Sequence, residues 1–121
     1  MKATVLIVED DDTAREFLGG LLRGDGYDVH EAPTMADADK RIARGEADII
    51  LLDVELPDGY GPDLLVRLHR DLPQLPVIMI TGYGDIEMAV QAMNSGAHDF
   101  LTKPVKMARL KQSLDRALES L

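Results

Sequence analysis

Side chains able to do chemistry stand directly behind four apolar segments of this sequence. An acidic run at residues 9–12 follows the first segment, and Asp53 closes a later one. Thr81 ends the next apolar segment, and the pair Lys103-Pro104 follows the last. Clustered carboxylate oxygens are ligands that suit Mg²⁺, while a hydroxyl and an ammonium group bind anionic oxygens. The sequence therefore predicts a metal site beside an anion-binding site, provided that the fold brings these positions together.

Each of these residues also has an ordinary structural explanation. Asp11 and Asp12 precede a helical segment, where acidic residues commonly cap a helix, and we favour that interpretation for both. Glu9 and Asp10 differ, because neighbouring carboxylates at a strand end repel each other unless a cation lies between them. Asp53 ends an apolar strand, which is an unfavourable place for an unpaired charge. Thr81 and Lys103 are each uninformative alone, so the predicted site depends on all of these residues occurring together.

Five β-prone segments alternate with segments of helical periodicity along the chain. The β-prone segments are residues 4–8, 27–32, 49–52, 77–80, and 100–101 with their flanks. Strict alternation predicts βα units and a parallel sheet, with the two continuously apolar middle segments as central strands. We predict an α/β fold, a flavodoxin-like doubly wound sheet of five parallel strands in the order 2-1-3-4-5 with five helices. In that order the first, third, fourth and fifth strands are adjacent, so the residues behind them meet at one edge.

Apolar spacing and turn residues define the five helices. The first ends near Gly24 and starts at a capping box of Thr13 and Glu16, or at Asp11 or Asp12. The second covers about residues 34–44, the third runs from residues 61–63 to a point before residue 73, and the fourth ends at residue 96. The core-facing residues of the first, fourth and fifth helices are predicted to be Ala14, Phe17, Leu18, Leu21 and Leu22; Ile86, Ala89, Val90 and Met93; and Leu110, Leu114, Ala117, Leu118 and Leu121.

Composition narrows the class of protein. At 121 residues the chain has the size of one domain, residues 1–121, and its 45% hydrophobic and 29% charged residues are ordinary for a globular protein. No apolar run is long enough to cross a bilayer and no signal-peptide core is present, so we expect a cytoplasmic protein without membrane binding. A net charge of -9 repels phosphate backbones and predicts no direct nucleic-acid binding by this domain.

Four longer stretches surround the candidate residues: LIVEDD at 6–11, LLDVELPDG at 51–59, IMITG at 78–82 and AHDFLTKP at 97–104. In this order and spacing the sequence resembles the receiver domains of two-component response regulators along essentially its whole length. The run over residues 81–104 is most similar to receivers attached to transcription activators. The resemblance implies the doubly wound fold already expected from the alternation of elements.

The resemblance further implies a phosphoacceptor and a metal. Asp53 would be the phosphoacceptor and Mg²⁺ the cofactor. Asp10 would be the direct carboxylate ligand, Glu9 its water-mediated companion and Asp53 a further ligand, while Glu55 would give the metal only its backbone carbonyl. Family members commonly carry Asp where Glu9 stands, which bears on metal affinity.

By the same resemblance, Thr81 and Lys103 contact the phosphoryl group. This fits the chemistry, because phosphoryl transfer needs a nucleophile in line and donors or positive charge around the equatorial oxygens. Thr81 and Phe100 would form the switch, and Phe100, where Tyr is frequent, excludes a mechanism that needs a hydroxyl there. A cis bond before Pro104, which would aim the lysine inward, is a further hypothesis.

The implied function is that of a signalling switch and not of an enzyme. The domain would accept its phosphoryl group from a sensor histidine kinase or phosphotransfer protein. It would then change the surface of its fourth helix, fifth strand and fifth helix to control a downstream effector or output domain. Met88 and Ala92 are exposed candidates for binding a partner, or a second receiver in a phosphorylation-linked homodimer, although both residues would equally fit a broader buried stripe.

Three alternatives share parts of the pattern. A flavodoxin needs a hydroxyl- and glycine-rich loop after the first strand, whereas the acidic run there repels a cofactor phosphate. A haloacid-dehalogenase-like phosphotransferase places Asp-x-Asp-x-Thr at this point; here the pattern falls on residues 9, 11 and 13, with Glu9 in place of the nucleophile and a short chain. A receiver-like interaction module that works without phosphorylation is the third, and the intact set of Asp53, Thr81 and Lys103 speaks against it.

Overall fold

The computed structural model describes residues 3–82 and 84–119, which form a five-stranded parallel sheet covered by helices on both faces. The strands are β1 (Thr4–Val8), β2 (Asp28–Ala32), β3 (Ile49–Asp53), β4 (Glu55–Leu56), β5 (Gly59–Tyr60), β6 (Val77–Thr81) and β7 (Asp99–Thr102). The main sheet has the order β2-β1-β3-β6-β7, and every neighbouring pair is parallel. With β6 and β7 as the fourth and fifth strands, the predicted α/β flavodoxin-like order is confirmed.

Within the described residues, five helices pack on the main sheet. They are α1 (Asp12–Gly24), α2 (Met35–Ala43), α3 (Gly61–Asp71), α4 (Ile86–Asn94) and α5 (Met107–Glu119). The side chain of Asp11 caps α1 by accepting a hydrogen bond from the amide of Ala14, so the alternative box of Thr13 and Glu16 was wrong. Leu121, a predicted core residue of α5, lies outside the described residues. Within the ranges described, no helix combines the length and apolar character needed to cross a membrane.

The main sheet separates two hydrophobic cores. The core beneath α2, α3 and α4, here the α2–α4 core, contains Leu52 and Leu65 among its buried residues. The core beneath α1 and α5, here the α1–α5 core, contains Leu51 and Leu110. Neighbouring residues of one strand, such as Leu51 and Leu52, point into opposite cores because side chains alternate along a strand. Burial on both faces explains why the central strands are continuously apolar.

The strands β4 and β5 pair in a short antiparallel hairpin that the sequence did not predict. The Asp58 carboxylate at its turn accepts hydrogen bonds from the backbone amides of Met35 at 2.8 Å and Ala36 at 3.0 Å. These amides lie in the first turn of α2, where no intrahelical acceptor is available. Gly59 packs against the Met35 side chain so closely that a Cβ there would overlap the sulfur. The hairpin therefore fastens the segment behind Asp53 to α2.

The face that α4 buries differs from the predicted one. Ile86, Val90 and Met93 are 84%, 51% and 47% exposed, whereas Ala92 is buried and Met88 packs half-buried against the α2–α4 core. The predicted core positions of Ile86, Val90 and Met93 were therefore wrong, whereas Ala89 is half-buried as expected. Of the two alternatives left open for Met88 and Ala92, the structure shows the inward-facing one. Six of the nine residues of α4 are apolar, so periodicity alone does not fix which side faces the sheet. The small Ala92 lets the helix approach the sheet closely.

Candidate functional site

Three carboxylates meet at the carboxyl edge of the sheet. One oxygen each of Glu9, Asp10 and Asp53 can be chosen so that all three lie within 4.8 Å of one another. Glu9 follows β1 and Asp53 ends β3, and these two strands are paired neighbours. Glu9 is buried at 7% exposure, whereas Asp10 is exposed. The cluster is therefore open to solvent on the side of Asp10 and closed on the side of Glu9.

Lys103 neutralises part of this negative charge. Its ammonium donates to a carboxylate oxygen of Asp53 at 3.3 Å and forms an ion pair with Glu9. The backbone amide of Lys103 donates to the carbonyl of Thr81 at 2.8 Å, which ties the ends of β6 and β7 together. The peptide bond between Lys103 and Pro104 is cis. Lys103 follows the edge strand β7, and its side chain reaches the carboxylates of Glu9 and Asp53.

The protonation of this cluster reflects burial and crowding. Burial, followed by the neighbouring Asp53 carboxylate, raises the pKa of Glu9 above its ordinary value, despite the opposing ammonium of Lys103. Burial acts against the charge of Lys103, but the hydrogen bond to Glu9 and the negative charges of Asp53 and Glu9 outweigh it and raise the pKa of Lys103. The lysine therefore stays charged at neutral pH, while ionised Glu9 is less favourable here than in water.

Backbone packing fixes the orientation of Asp53. One oxygen of its carboxylate accepts a hydrogen bond from the amide of Val54 at 2.7 Å, and the other faces Lys103. The amide of Gly61, the first residue of α3, donates to the carbonyl of Val54 at 2.6 Å. A Cβ at Gly61 would overlap the backbone carbonyl of Asp53, so only glycine fits at this close approach.

The predicted switch residues lie on adjacent strands. Asp53 pairs with Ile80, and Thr81 is the next residue of β6, at 2% exposure. Phe100 pairs with Met79 and packs half-buried against the α2–α4 core. The loop before α4 crosses this region through Gly84, where a Cβ would overlap the methyl group of Thr102 and crowd the Phe100 ring at 3.2 Å. The side chain of Glu55 is exposed, and the metal role of its carbonyl stays a prediction.

Arg15 is a charged residue that the sequence interpretation missed. It lies at 9% exposure in α1, on the face that also buries Gly19 and Leu22. Its guanidinium donates to the backbone carbonyl of Glu9 at 2.9 Å and to the carboxylates of Asp12 and Glu31. The available signal for the burial of Arg15 was its spacing. Arg15 lies four residues before Gly19 and seven before Leu22, so all three share one side of α1.

An apolar cavity of about 280 Å³ opens between α1 and α5, next to the carboxylates. Phe17 and Leu21 line it from α1, Met107 from the start of α5, Val105 from the segment before that helix, and Asp53 from β3. Phe17 and Leu21 are 69% and 37% exposed, so the prediction that both face the core was wrong. They lie on the flank of α1, whereas Arg15, Gly19 and Leu22 are its buried residues. The cavity offers apolar contacts beside the nucleophilic carboxylate.

Comparisons with known proteins agree with the fold. The family model of the response regulator receiver domain matches residues 5–115. The chain is 42% identical over 113 residues to the response regulator protein PilR of Pseudomonas aeruginosa, covering 93% of this chain and 25% of PilR. It is 35% identical over 116 residues to the DNA-binding transcriptional regulator NtrC of Rhizobium meliloti, covering 96% of this chain and 24% of NtrC.

Among solved structures, that of the beryllofluoride-activated NtrC4 receiver domain dimer has a TM-score of 0.90 at 34% identity. This match covers 96% of each chain. The chain spans about a quarter of the length of the curated relatives named above. The chain belongs to the response regulator receiver domain family of two-component systems, and the flavodoxin and haloacid-dehalogenase-like alternatives are not favoured.

The donor set fits the metal that this family implies. Glu9, Asp10 and Asp53 offer only carboxylate oxygens, which suit a hard divalent cation such as Mg²⁺. The exposed position of Asp10 leaves room for retained waters, which Mg²⁺ gives up reluctantly. The mutual repulsion of three carboxylates is a second reason why a divalent cation is favoured here.

Proposed function

We propose that Asp53 accepts a phosphoryl group in a reaction that requires Mg²⁺, and that the domain transmits this event to an output partner. The observation that carries the proposal is the cluster of Glu9, Asp10 and Asp53, with Lys103 on one oxygen of Asp53. A carboxylate in this place combines a nucleophile with a positive group that can bind the incoming oxygens.

The chemical step belongs to Asp53 and its donor. A carboxylate oxygen of Asp53 forms a bond to phosphorus as the phosphorus–nitrogen bond of a phosphohistidine breaks, and the leaving imidazole takes up a proton. The product is an acyl phosphate. Lys103 pairs with a phosphoryl oxygen, and the hydroxyl of Thr81 donates to another. A bound Mg²⁺ supplies positive charge that reduces the repulsion between the carboxylate and the phosphoryl group.

The donor is a sensor histidine kinase or a phosphotransfer protein, and its docking surface includes the cavity between α1 and α5. Phe17 and Leu21 present apolar surface beside Asp53, which suits the apolar face of a partner helix carrying the phosphohistidine. The domain itself is a covalent acceptor that participates in its own phosphorylation. It is not a catalyst acting on a separate substrate.

The output surface is the face formed by α4, β7 and α5. Thr81 drawn toward the phosphoryl group vacates space beside β7, and Phe100 with the Gly84 loop adjusts to it. Ile86, Val90 and Met93 of α4 supply exposed apolar side chains, whereas Met88 and Ala92, for which the sequence allowed exposure or burial, pack inward. This surface contacts an output domain, an effector or a second receiver, in keeping with the dimer of the beryllofluoride-activated NtrC4 receiver domain.

Incubation with acetyl phosphate followed by intact-mass measurement tests the proposal. Wild-type protein gains one phosphoryl group when Mg²⁺ is present and none in chelator. Asp53→Asn gains none under either condition, whereas Asp63→Asn, which removes an exposed carboxylate at the start of α3, behaves like wild type. Full labelling of the Asp53→Asn protein, or labelling without any divalent cation, contradicts the assignment.

A further inference from the structure

Arg15 occupies a place where a charge is unfavourable unless its partners are fixed. Glu9 and Arg15 are the charged residues among the described buried ones. A buried guanidinium must use its donors, because an unpaired buried charge strongly destabilises a fold. The hydrogen bonds of Arg15 therefore restrain the positions of its acceptors as well as that of its own side chain.

The acceptors of Arg15 come from three different elements. Its Nε donates to Glu31 of β2 at 3.2 Å, one terminal nitrogen donates to Asp12 of α1 at 2.7 Å, and the other donates to the backbone carbonyl of Glu9 at 2.9 Å. Planar guanidinium donors have fixed directions, so these three bonds define an orientation and not merely a charge. Arg15 thus connects the end of β1 with β2 and α1.

The carbonyl that Arg15 holds belongs to the peptide unit joining Glu9 to Asp10. The amide on the other side of Glu9 donates to the carbonyl of Ala32 in β2 at 3.1 Å. Both backbone polar groups of Glu9 are therefore fixed, one by β2 and one by Arg15. The orientation of the Glu9–Asp10 peptide sets the position of the Asp10 backbone. It therefore limits the region that the exposed Asp10 carboxylate can reach.

We infer that Arg15 is a positioning residue of the metal site, which holds the Glu9–Asp10 peptide in the orientation that lets both carboxylates bind one divalent cation. The inference rests on the proposed function of the carboxylate cluster and adds a residue to it. Partners that orient metal ligands from behind typically change metal affinity by about 10- to 100-fold when they are removed.

The sign of the effect separates positioning from simple electrostatics. A guanidinium repels a nearby cation, so the loss of the Arg15 charge should strengthen Mg²⁺ binding if the charge acts only through space. Positioning predicts the opposite result, a weaker complex. Arg23 is the matched control, since it lies on the same helix and pairs with the same Glu31, but its other bond goes to the carbonyl of Val29.

The experiment is an NMR titration of the whole chain with Mg²⁺ in wild type, Arg15→Met, Arg15→Lys and Arg23→Met. We expect Arg15→Met to bind Mg²⁺ about tenfold more weakly and Arg23→Met to stay within about twofold of wild type. Arg15→Lys should lie between, because an ammonium keeps the charge but cannot reproduce the three directed bonds. In chelator, the carbonyl carbon shift of Glu9 should move in Arg15→Met and not in Arg23→Met, which reports the lost bond without any metal.

The outcomes are distinguishable. Arg15→Met binding Mg²⁺ as tightly as wild type or more tightly overturns the positioning role, and so does an equal loss in Arg23→Met. Should Arg15→Met fail to fold, the folded Arg15→Lys protein decides, and an affinity equal to wild type overturns the inference. Wild-type protein that binds no Mg²⁺ overturns the proposed function itself, and the positioning role with it.

Discussion

Asp53 experiences both repulsion and attraction from groups that are within a few ångströms. Glu9 and Asp10 crowd it with negative charge, and Lys103 offsets only one of these charges. Such crowding destabilises the fold without a cation, which is common where side chains are arranged for function and not for stability.

The first consequence is a stability change of opposite sign for two substitutions. In chelator, Asp53→Asn should melt at a higher temperature than wild type, by roughly 2–6 °C, because it removes one of three crowded carboxylates. Lys103→Met should melt lower, because it leaves Glu9 and Asp53 without their shared ammonium. Added Mg²⁺ should narrow the gap between Asp53→Asn and wild type. Thermal unfolding followed by circular dichroism measures both; a lower melting temperature for Asp53→Asn in chelator contradicts the repulsion.

The second consequence concerns pH and Glu9. Because the pKa of Glu9 is raised in the folded protein, mainly by burial, the proton is bound more tightly in the folded than in the unfolded state. Stability from this group is then present below its ordinary pKa and is lost as pH rises through the higher folded value. In chelator, the melting temperature of wild type relative to Glu9→Gln should therefore fall between pH 4 and pH 8. A difference that is constant with pH, or that grows in favour of wild type, contradicts the assignment.

At the scale of single residues, the sequence indicated the candidate chemical groups well but missed a residue that holds them in place. Strand-end positions identified Glu9, Asp10 and Asp53 because parallel strands share one carboxyl edge. Arg15 was missed because a helical arginine is usually exposed. In addition, one of its acceptors is a backbone carbonyl, which cannot be recognised from residue type. The partners of a guanidinium become visible only in three dimensions.

The hairpin of β4 and β5 connects elements that are distant in the chain. Through Asp58 it supplies acceptors to the start of α2, and the pKa of that carboxyl is lowered by the amides of Met35 and Ala36. The segment behind the phosphoacceptor is therefore anchored to a helix that carries none of the site residues.

Removing the Asp58 carboxylate should destabilise the start of α2 together with the hairpin. Asp58→Ala should lower the melting temperature by a few degrees, because two first-turn amides lose their acceptor. Asp58→Asn keeps one acceptor oxygen and should recover part of the loss. Hydrogen exchange should increase at the amides of Met35 and Ala36. As a control, Glu55→Ala changes an exposed side chain of the same hairpin. An equal increase in the exchange of the Met35 and Ala36 amides in Glu55→Ala would show that the loss of the Asp58 carboxylate is not the cause.

Element boundaries followed from the sequence, but two features of the elements did not. The hairpin has strands of two residues each, which is too short for alternation to be recognised. The orientation of α4 was wrong because apolar residues occur around most of its circumference, so burial was decided by the fit of Ala92 and Met88 against the sheet. Periodicity locates a helix more reliably than it locates the buried face of an apolar one.

At the scale of the whole molecule, the proposed switch must carry a local event across the sheet edge. Beryllofluoride, a phosphoryl mimic, should bind at Asp53 in the presence of Mg²⁺ and shift backbone resonances over residues 84–105 in wild type. Thr81→Ala should still bind the mimic but confine the changes to the site, because the hydroxyl that responds is absent. Thr13→Ala, which removes an exposed hydroxyl in α1, is the control and should respond like wild type. Equal spread in Thr81→Ala contradicts the coupling through Phe100.

Two cores divided by one sheet can change independently over evolutionary time. Residues beneath α1 and α5 share few neighbours with residues beneath α2, α3 and α4, so the free-energy effects of substitutions on opposite sides should add. Glu9, Asp53 and Lys103 line the cavity on the α1 side, whereas Phe100 belongs to the other side. A lineage can therefore alter the donor-binding cavity through the α1–α5 core while the packing of α4 and Phe100 in the α2–α4 core stays intact. The residues at the carboxyl edge, which belong to both halves, are the ones least free to vary.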